Sequence, residues 1–220
     1  VKKTVAAKIG SVEYGTLTEA IAAVNDGETI VVNAGTYAIT ELNGLSNANK
    51  AITITAADNA TVILNAVDQG DVVYVHGAKI TFNGITFNWS NDDYRGFKHA
   101  SELVYNNCTI NGKVFLYAAS ETFNNCTFNQ TAEDYNVWTY GAKKVAFNKC
   151  TFNCKGKAVN VYIEANNASK EPQTIEVTDV TVKSEKANKA FLNIKNSTQA
   201  YNVSFSGTNT VSGLDADGTT

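Results

Sequence analysis

The heptapeptide FNNCTFN at residues 123–129 returns as FNKCTFN at 147–153, with looser copies in FNGITFN (82–88) and YNNCTIN (105–111). Side chains alternate faces along a β-strand with period two. Cys150 and Phe152 therefore share a face, as do Val145 and Phe147, yet Phe147 and Cys150 are three apart. All four point inward only if the backbone turns a corner at Asn148-Lys149. Asn tolerates the left-handed conformation such a corner needs, and its amide bonds to neighbouring backbone. The same slip recurs as Ile80, Phe82, corner Asn83-Gly84, Ile85, Phe87; as Leu103, Tyr105, corner Asn106-Asn107, Cys108, Ile110; and as Phe123, corner Asn124-Asn125, Cys126, Phe128. A weaker copy is Ile175, Val177, corner Thr178-Asp179, Val180, Val182. The corner positions Asn83, Asn106, Asn124 and Asn148 are separated by 23, 18 and 24 residues, the length of one solenoid coil.

A third apolar stretch completes each coil: Val73-Tyr74-Val75, Val114 to Tyr117, Val137 to Tyr140, Val159 to Ile163 and Ala190 to Ile194. Three short strands per coil, stacked in register, predict an all-β parallel β-helix of about six to eight coils. The four cysteines, Cys108, Cys126, Cys150 and Cys154, are spaced by 18, 24 and 4 residues without a CxxC pair. That spacing argues against zinc, which takes closely paired ligands. Cys108, Cys126 and Cys150 instead read as an inward column in which a thiol acts as a small apolar side chain. Cys154 is expected to face outward and to be the reactive one.

At the N-terminus, Thr16 and Glu19 form a capping box, Leu17, Ala20, Ile21 and Val24 make one apolar stripe, and Gly27 lies past the end. This predicts a helix over 16–25 covering the open end of the first coil, whose core and free strand edge otherwise meet solvent. The corner Asn column, similar to an asparagine ladder, and the stretch YGTLTEAIAAVNDGETIVVNAGTY (14–37) resemble the pectate-lyase-like superfamily of right-handed parallel β-helices. The resemblance covers about residues 5–210 and implies a right-handed solenoid. Residues 1–212 read as one domain and 213–220 as a polar tail or linker, so the chain is expected to be part of a longer polypeptide. Coils after 165 are irregular, with an insertion at 165–174 that holds the only proline, Pro172.

In VNVYI (159–163), Val159, Val161 and Ile163 point in, so Asn160, Tyr162 and Glu164 point out. Aligning coils by their corners gives the outward pairs Tyr74/His76, Phe97/His99, Phe115/Tyr117, Trp138/Tyr140, Tyr162/Glu164 and Phe191/Asn193, and puts Lys98 inward. Such a stripe of aromatic and polar side chains is a candidate ligand surface, since flat rings stack on sugar faces or partner side chains. Tyr74, His76, Phe115, Tyr117, Trp138, Tyr140, Tyr162 and Glu164 are its candidate residues; the superfamily's enzymes run their substrate groove over this same sheet. The other reading has the loops at 88–98 and 129–136 burying some of these rings.

A polyuronate lyase needs a base for the proton α to a carboxylate, and the resemblance implies Arg or Lys for that role with Asp or Glu holding calcium. The single arginine, Arg95, lies in NDDYRGFK (91–98) beside Asp92 and Asp93, which makes these three the candidates for catalysis. A hydrolase needs paired carboxylates, and the outward column offers Glu164 alone. Two histidines on adjacent coils are able to act as acid and base, but no carboxylate accompanies them. The favoured expectation is a noncatalytic surface module that binds a polysaccharide or a surface protein; the alternatives are a lyase or hydrolase on acidic glycans, and a structural spacer. No cofactor is expected, and calcium only if the chain is a lyase. A net charge of −3, with no run of five like charges, argues against nucleic acid. No run of 18 apolar residues argues for membrane insertion. The superfamily's frequency among secreted bacterial proteins implies an extracellular or bacterial cell-surface setting.

Overall fold

The computed structural model describes residues 4–45, 49–66, 72–91, 95–162, 171–185, 191–194 and 200–213. Each FN-corner-TFN segment forms two strands at an angle, and stacking them gives a right-handed parallel β-helix, the hand that strand twist imposes on parallel crossovers. Eight parallel strands make up the first sheet: Thr29–Val32, Ala51–Ala56, Lys79–Asn83, Glu102–Asn106, Ser120–Asn124, Lys144–Asn148, Gln173–Thr178 and Tyr201–Ser206. They number the coils one to eight. The second sheet also has eight rungs, from Gly35–Ala38 to Thr210–Gly213. The third holds Val114–Phe115, Val137–Trp138, Val159–Val161 and Leu192–Ile194, with Val72–Tyr74 and Gly96–Lys98 joined through one bridge between Lys98 and Tyr117. In coil one the third side is a 3-10 helix, Ile39–Leu45.

The phase slip does what the repeats predict. Phe82, Tyr105, Phe123 and Phe147 stack along the axis at centroid spacings of 5.4, 4.4 and 5.4 Å. Across the corner, the second-sheet phenylalanines meet them edge-on, Phe123 with Phe128 at 5.1 Å and Phe147 with Phe152 at 5.4 Å. The left-handed residue is the second of each corner pair, not the Asn before it: Gly84, Asn107, Asn125, Lys149 and Asp179 all have φ between 52° and 66°. That leaves the first Asn extended, with its amide free to reach along the axis. Asn106 Nδ2 donates to Asn83 Oδ1 at 2.9 Å, Asn124 to Asn106 at 2.8 Å and Asn148 to Asn124 at 2.9 Å. A second, unforeseen ladder runs through the last letter of each TFN. Asn111 donates to Asn88, Asn129 to Asn111 and Asn153 to Asn129, at 2.8, 2.8 and 2.9 Å.

The three corner thiols are inward and buried as expected. Cys126 Sγ donates to Tyr105 O at 3.3 Å, and Cys150 Sγ to Phe123 O at 3.4 Å. All four cysteines are free, so no disulfide braces the coils. Cys154 corrects the expectation of an outward thiol: it is 3% exposed, and burial pushes it up to about 11. Alternation from Phe152 places it inward.

The helix Leu17–Ala23 begins at Thr16, with the capping box complete, and buries Leu17, Ala20 and Ile21. The hairpin of Ala7–Ile9 and Val12–Tyr14 adds antiparallel to Thr29–Val32 and closes that edge. Among the described residues, no helix is long and apolar enough to cross a membrane.

Candidate functional site

The third sheet sorts its outward side chains into two rows. Strand register pairs Phe115 with Trp138, Trp138 with Asn160, and Asn160 with Asn193. Two residues on, Tyr74 pairs with Lys98 and Lys98 with Tyr117. Tyr117 lies 5.2 Å from Tyr140, and Tyr140 lies 5.7 Å from Tyr162. The second row is therefore Tyr74, Lys98, Tyr117, Tyr140 and Tyr162, one residue per coil at about 4.8 Å.

The sequence alignment is corrected in three places. Lys98 faces outward and Phe97 inward, at 2% exposure, because Phe97 pairs with Val73 of the core. Tyr74 and Tyr162 each move two residues relative to Trp138, so Asn160 occupies the place expected for Tyr162. Phe191 packs edge-on against Phe152 of the interior at 5.4 Å and does not continue the outward stripe. Glu164 lies outside the described residues.

At one end of the face, His76 and His99 stack at 4.5 Å with an interplanar angle of 12°, and Tyr74 stacks on both, at 5.9 and 5.8 Å. His99 is held in the left-handed region, at φ 69°, a strained place for a residue with a Cβ. Partial burial lowers its pKa, and the charges of His76 and Lys98 lower it further. The Lys98 ammonium sits 5.9 Å from the Tyr74 centroid and 5.3 Å from that of Tyr117, within cation–π range. Tyr74 and His76 are exposed, and Tyr117, Tyr140 and Tyr162 are half-buried.

The other end is roofed. Phe115 is 3% exposed, sandwiched at 5.4 Å against Trp138 and lying 6.0 Å from the Lys113 ammonium. Lys113 in turn bonds Asp134 at 2.8 Å. Tyr135 meets Trp138 edge-on at 5.6 Å, with the Lys157 ammonium 5.3 Å above its ring. Tyr135 thus covers part of Trp138, and Lys113, held by Asp134, lies against Phe115, while the tyrosine row is exposed at Tyr74 and half-buried beyond it. Gln130, itself buried, ties the loop at 129–136 down: its Nε2 donates to Tyr135 O at 3.2 Å and its Oε1 accepts from Ala132 N at 2.9 Å. Under the roof, Asn136 and Asn160 are fully buried. Lys98, Asn136 and Asn160 were not among the sequence candidates, because alternation marks a direction and not a role.

Of the three catalytic candidates the described structure contains only Arg95. Arg95 is 8% exposed, and Asp92 and Asp93 lie outside the described residues. Among the described residues, no three His, Cys, Asp or Glu side chains cluster as metal ligands do. An open groove of about 420 Å³ lies on the second sheet beside Asn129, Thr131, Asn153, Lys183 and Glu185. The chain matches no protein-family model, no curated protein and no solved structure.

Proposed function

We propose that the chain is a noncatalytic binding module of a secreted or bacterial cell-surface protein, holding a glycan along the outward face of its third sheet. The observation that carries the reading is the tyrosine row with Lys98 at its second position, in register over five coils and reaching solvent. Rings repeating along an axis offer successive stacking platforms to a polymer lying parallel to it, and they need no chemistry beyond persistence. A protein partner of the same cell surface is the other ligand such a face accommodates. Membership of the pectate-lyase-like superfamily belongs to this proposal as well; the two ladders and the helical cap support it. Burial of Arg95 weighs against the lyase alternative, in which that side chain must reach substrate.

The test is a titration of tryptophan fluorescence against a polysaccharide panel that includes polygalacturonate, while the ultraviolet absorbance of unsaturated uronates is followed in the same sample. A saturable shift without new absorbance, lost in Trp138→Ala, is the expected result. Growing absorbance that disappears in Arg95→Ala identifies a lyase, for which added calcium should accelerate turnover. Silence in both channels leaves a spacer.

A further inference from the structure

Three buried polar atoms beside Trp138 have no hydrogen-bond partner: Oδ1 and Nδ2 of Asn136, and Nδ2 of Asn160. Both residues are 0% exposed. Asn136 immediately precedes the strand Val137–Trp138, and Asn160 is the register partner of Trp138 on the next coil, about 4.8 Å across the sheet. Elsewhere this protein satisfies stacked asparagines, each amide bonding the next at 2.8 to 2.9 Å. Here the pattern is interrupted. Asn160 accepts from Asn193 at 2.8 Å on one side and meets the Trp138 indole on the other. Unbonded buried amide groups cost stability, so a fold that tolerates the whole Asn136 amide and the Asn160 donor unbonded beside Trp138 is keeping them for another partner.

An asparagine amide offers an acceptor and a donor side by side, and neighbouring hydroxyls on a sugar ring donate and accept in turn. A carboxylate or sulfate takes donors only. We infer that Asn136 and Asn160 are specificity-determining contacts of the glycan face, and that the unit seated at Trp138 is a neutral sugar with vicinal hydroxyls. The inference rests on the glycan reading above. Seating that sugar requires the segment Thr131–Tyr135 to lift. Side-chain contacts hold it down: Lys113 to Asp134, Tyr135 against Trp138, and Lys157 over Tyr135.

The experiment compares the wild type with Asn136→Leu and Asn160→Leu, which keep the volume and remove the amide. Tryptophan fluorescence is titrated with cellohexaose, mannohexaose and trigalacturonic acid, and thermal unfolding of each protein is followed by circular dichroism. The expected result is wild-type binding of a neutral hexasaccharide in preference to trigalacturonic acid. Each Leu variant should then lose affinity by about tenfold or more. The Tm of Asn136→Leu should be equal or higher, since removing an unbonded amide relieves a cost that a structural amide would not carry; Asn160→Leu also loses the bond from Asn193 and is read by affinity alone. Unchanged affinity, a preference for trigalacturonic acid, or a lowered Tm of Asn136→Leu with binding intact overturns the inference while leaving the glycan face standing. A wild type silent to all three sugars overturns the glycan reading and the neutral-sugar assignment with it.

Discussion

Glu121 stands in the inward column of the first sheet, between Leu103 and Val145 on the neighbouring coils, and is 1% exposed. Its Oε1 accepts from Ala118 N at 3.1 Å and its Oε2 from the Tyr105 hydroxyl at 3.3 Å. Burial pushes the carboxyl up to about 8 from an ordinary 4.5. A raised acid holds its proton more tightly in the native state than in the unfolded chain. Stability therefore falls as pH rises from the unfolded value to the folded one and levels off above it. The span corresponds to something on the order of 5 kcal/mol. Glu121→Gln cannot ionise, so its Tm should match the wild type near the acid end of that window and exceed it by several degrees at the alkaline end, in thermal unfolding against pH. A Tm difference that does not change with pH would contradict the assignment. Both Glu121 and Cys154 are inward by simple alternation from Phe123 and Phe152, so their positions were legible. The buried carboxyl's partners were not, because Tyr105 belongs to the coil before it.

At the scale of the element, the ladders are the members that repeat most faithfully. Asn124 donates to Asn106 and accepts from Asn148, so Asn124→Ala breaks two bonds and strands a half-buried amide on each side. The expected loss is about 1–3 kcal/mol, measured as a lower urea midpoint with unchanged slope. The third-sheet strands show the opposite behaviour. Their outward row stands 9, 8, 7 and 8 residues before the next corner Asn, from Tyr74 to Asn83, Lys98 to Asn106, Tyr117 to Asn124 and Tyr140 to Asn148. Aligning coils by the corner assumes a constant arc, and a change of one or two residues moves a side chain to the other face or the next row. Lys98 and Phe97 exchanged faces for that reason. The two-residue strands Val114–Phe115 and Val137–Trp138 are too short for their own alternation to correct it.

For the whole molecule, each coil touches only its neighbours, so stability is passed along the axis and the ends govern fraying. The N-terminal end is sealed by Leu17, Ala20 and Ile21 of the helix. Ile21→Ala should remove about 2–5 kcal/mol from that end. Hydrogen exchange should quicken in coils one and two, with protection unchanged in coils four to six; uniform quickening through all eight coils would mean the solenoid unfolds as one unit. What the sequence by itself determined was the coil: its length, its inward aromatics and three corner thiols, the corner between the first two sheets and the cap. Each of these follows from periodicity within one stretch of chain. Only the tertiary structure decided which side chains stand side by side across coils on the third sheet, that Phe115 is buried, and that the Asn136 amide and the Nδ2 of Asn160 are buried without partners. Those relations depend on the register between residues some 20 positions apart and on loops of unequal length, which no local pattern encodes.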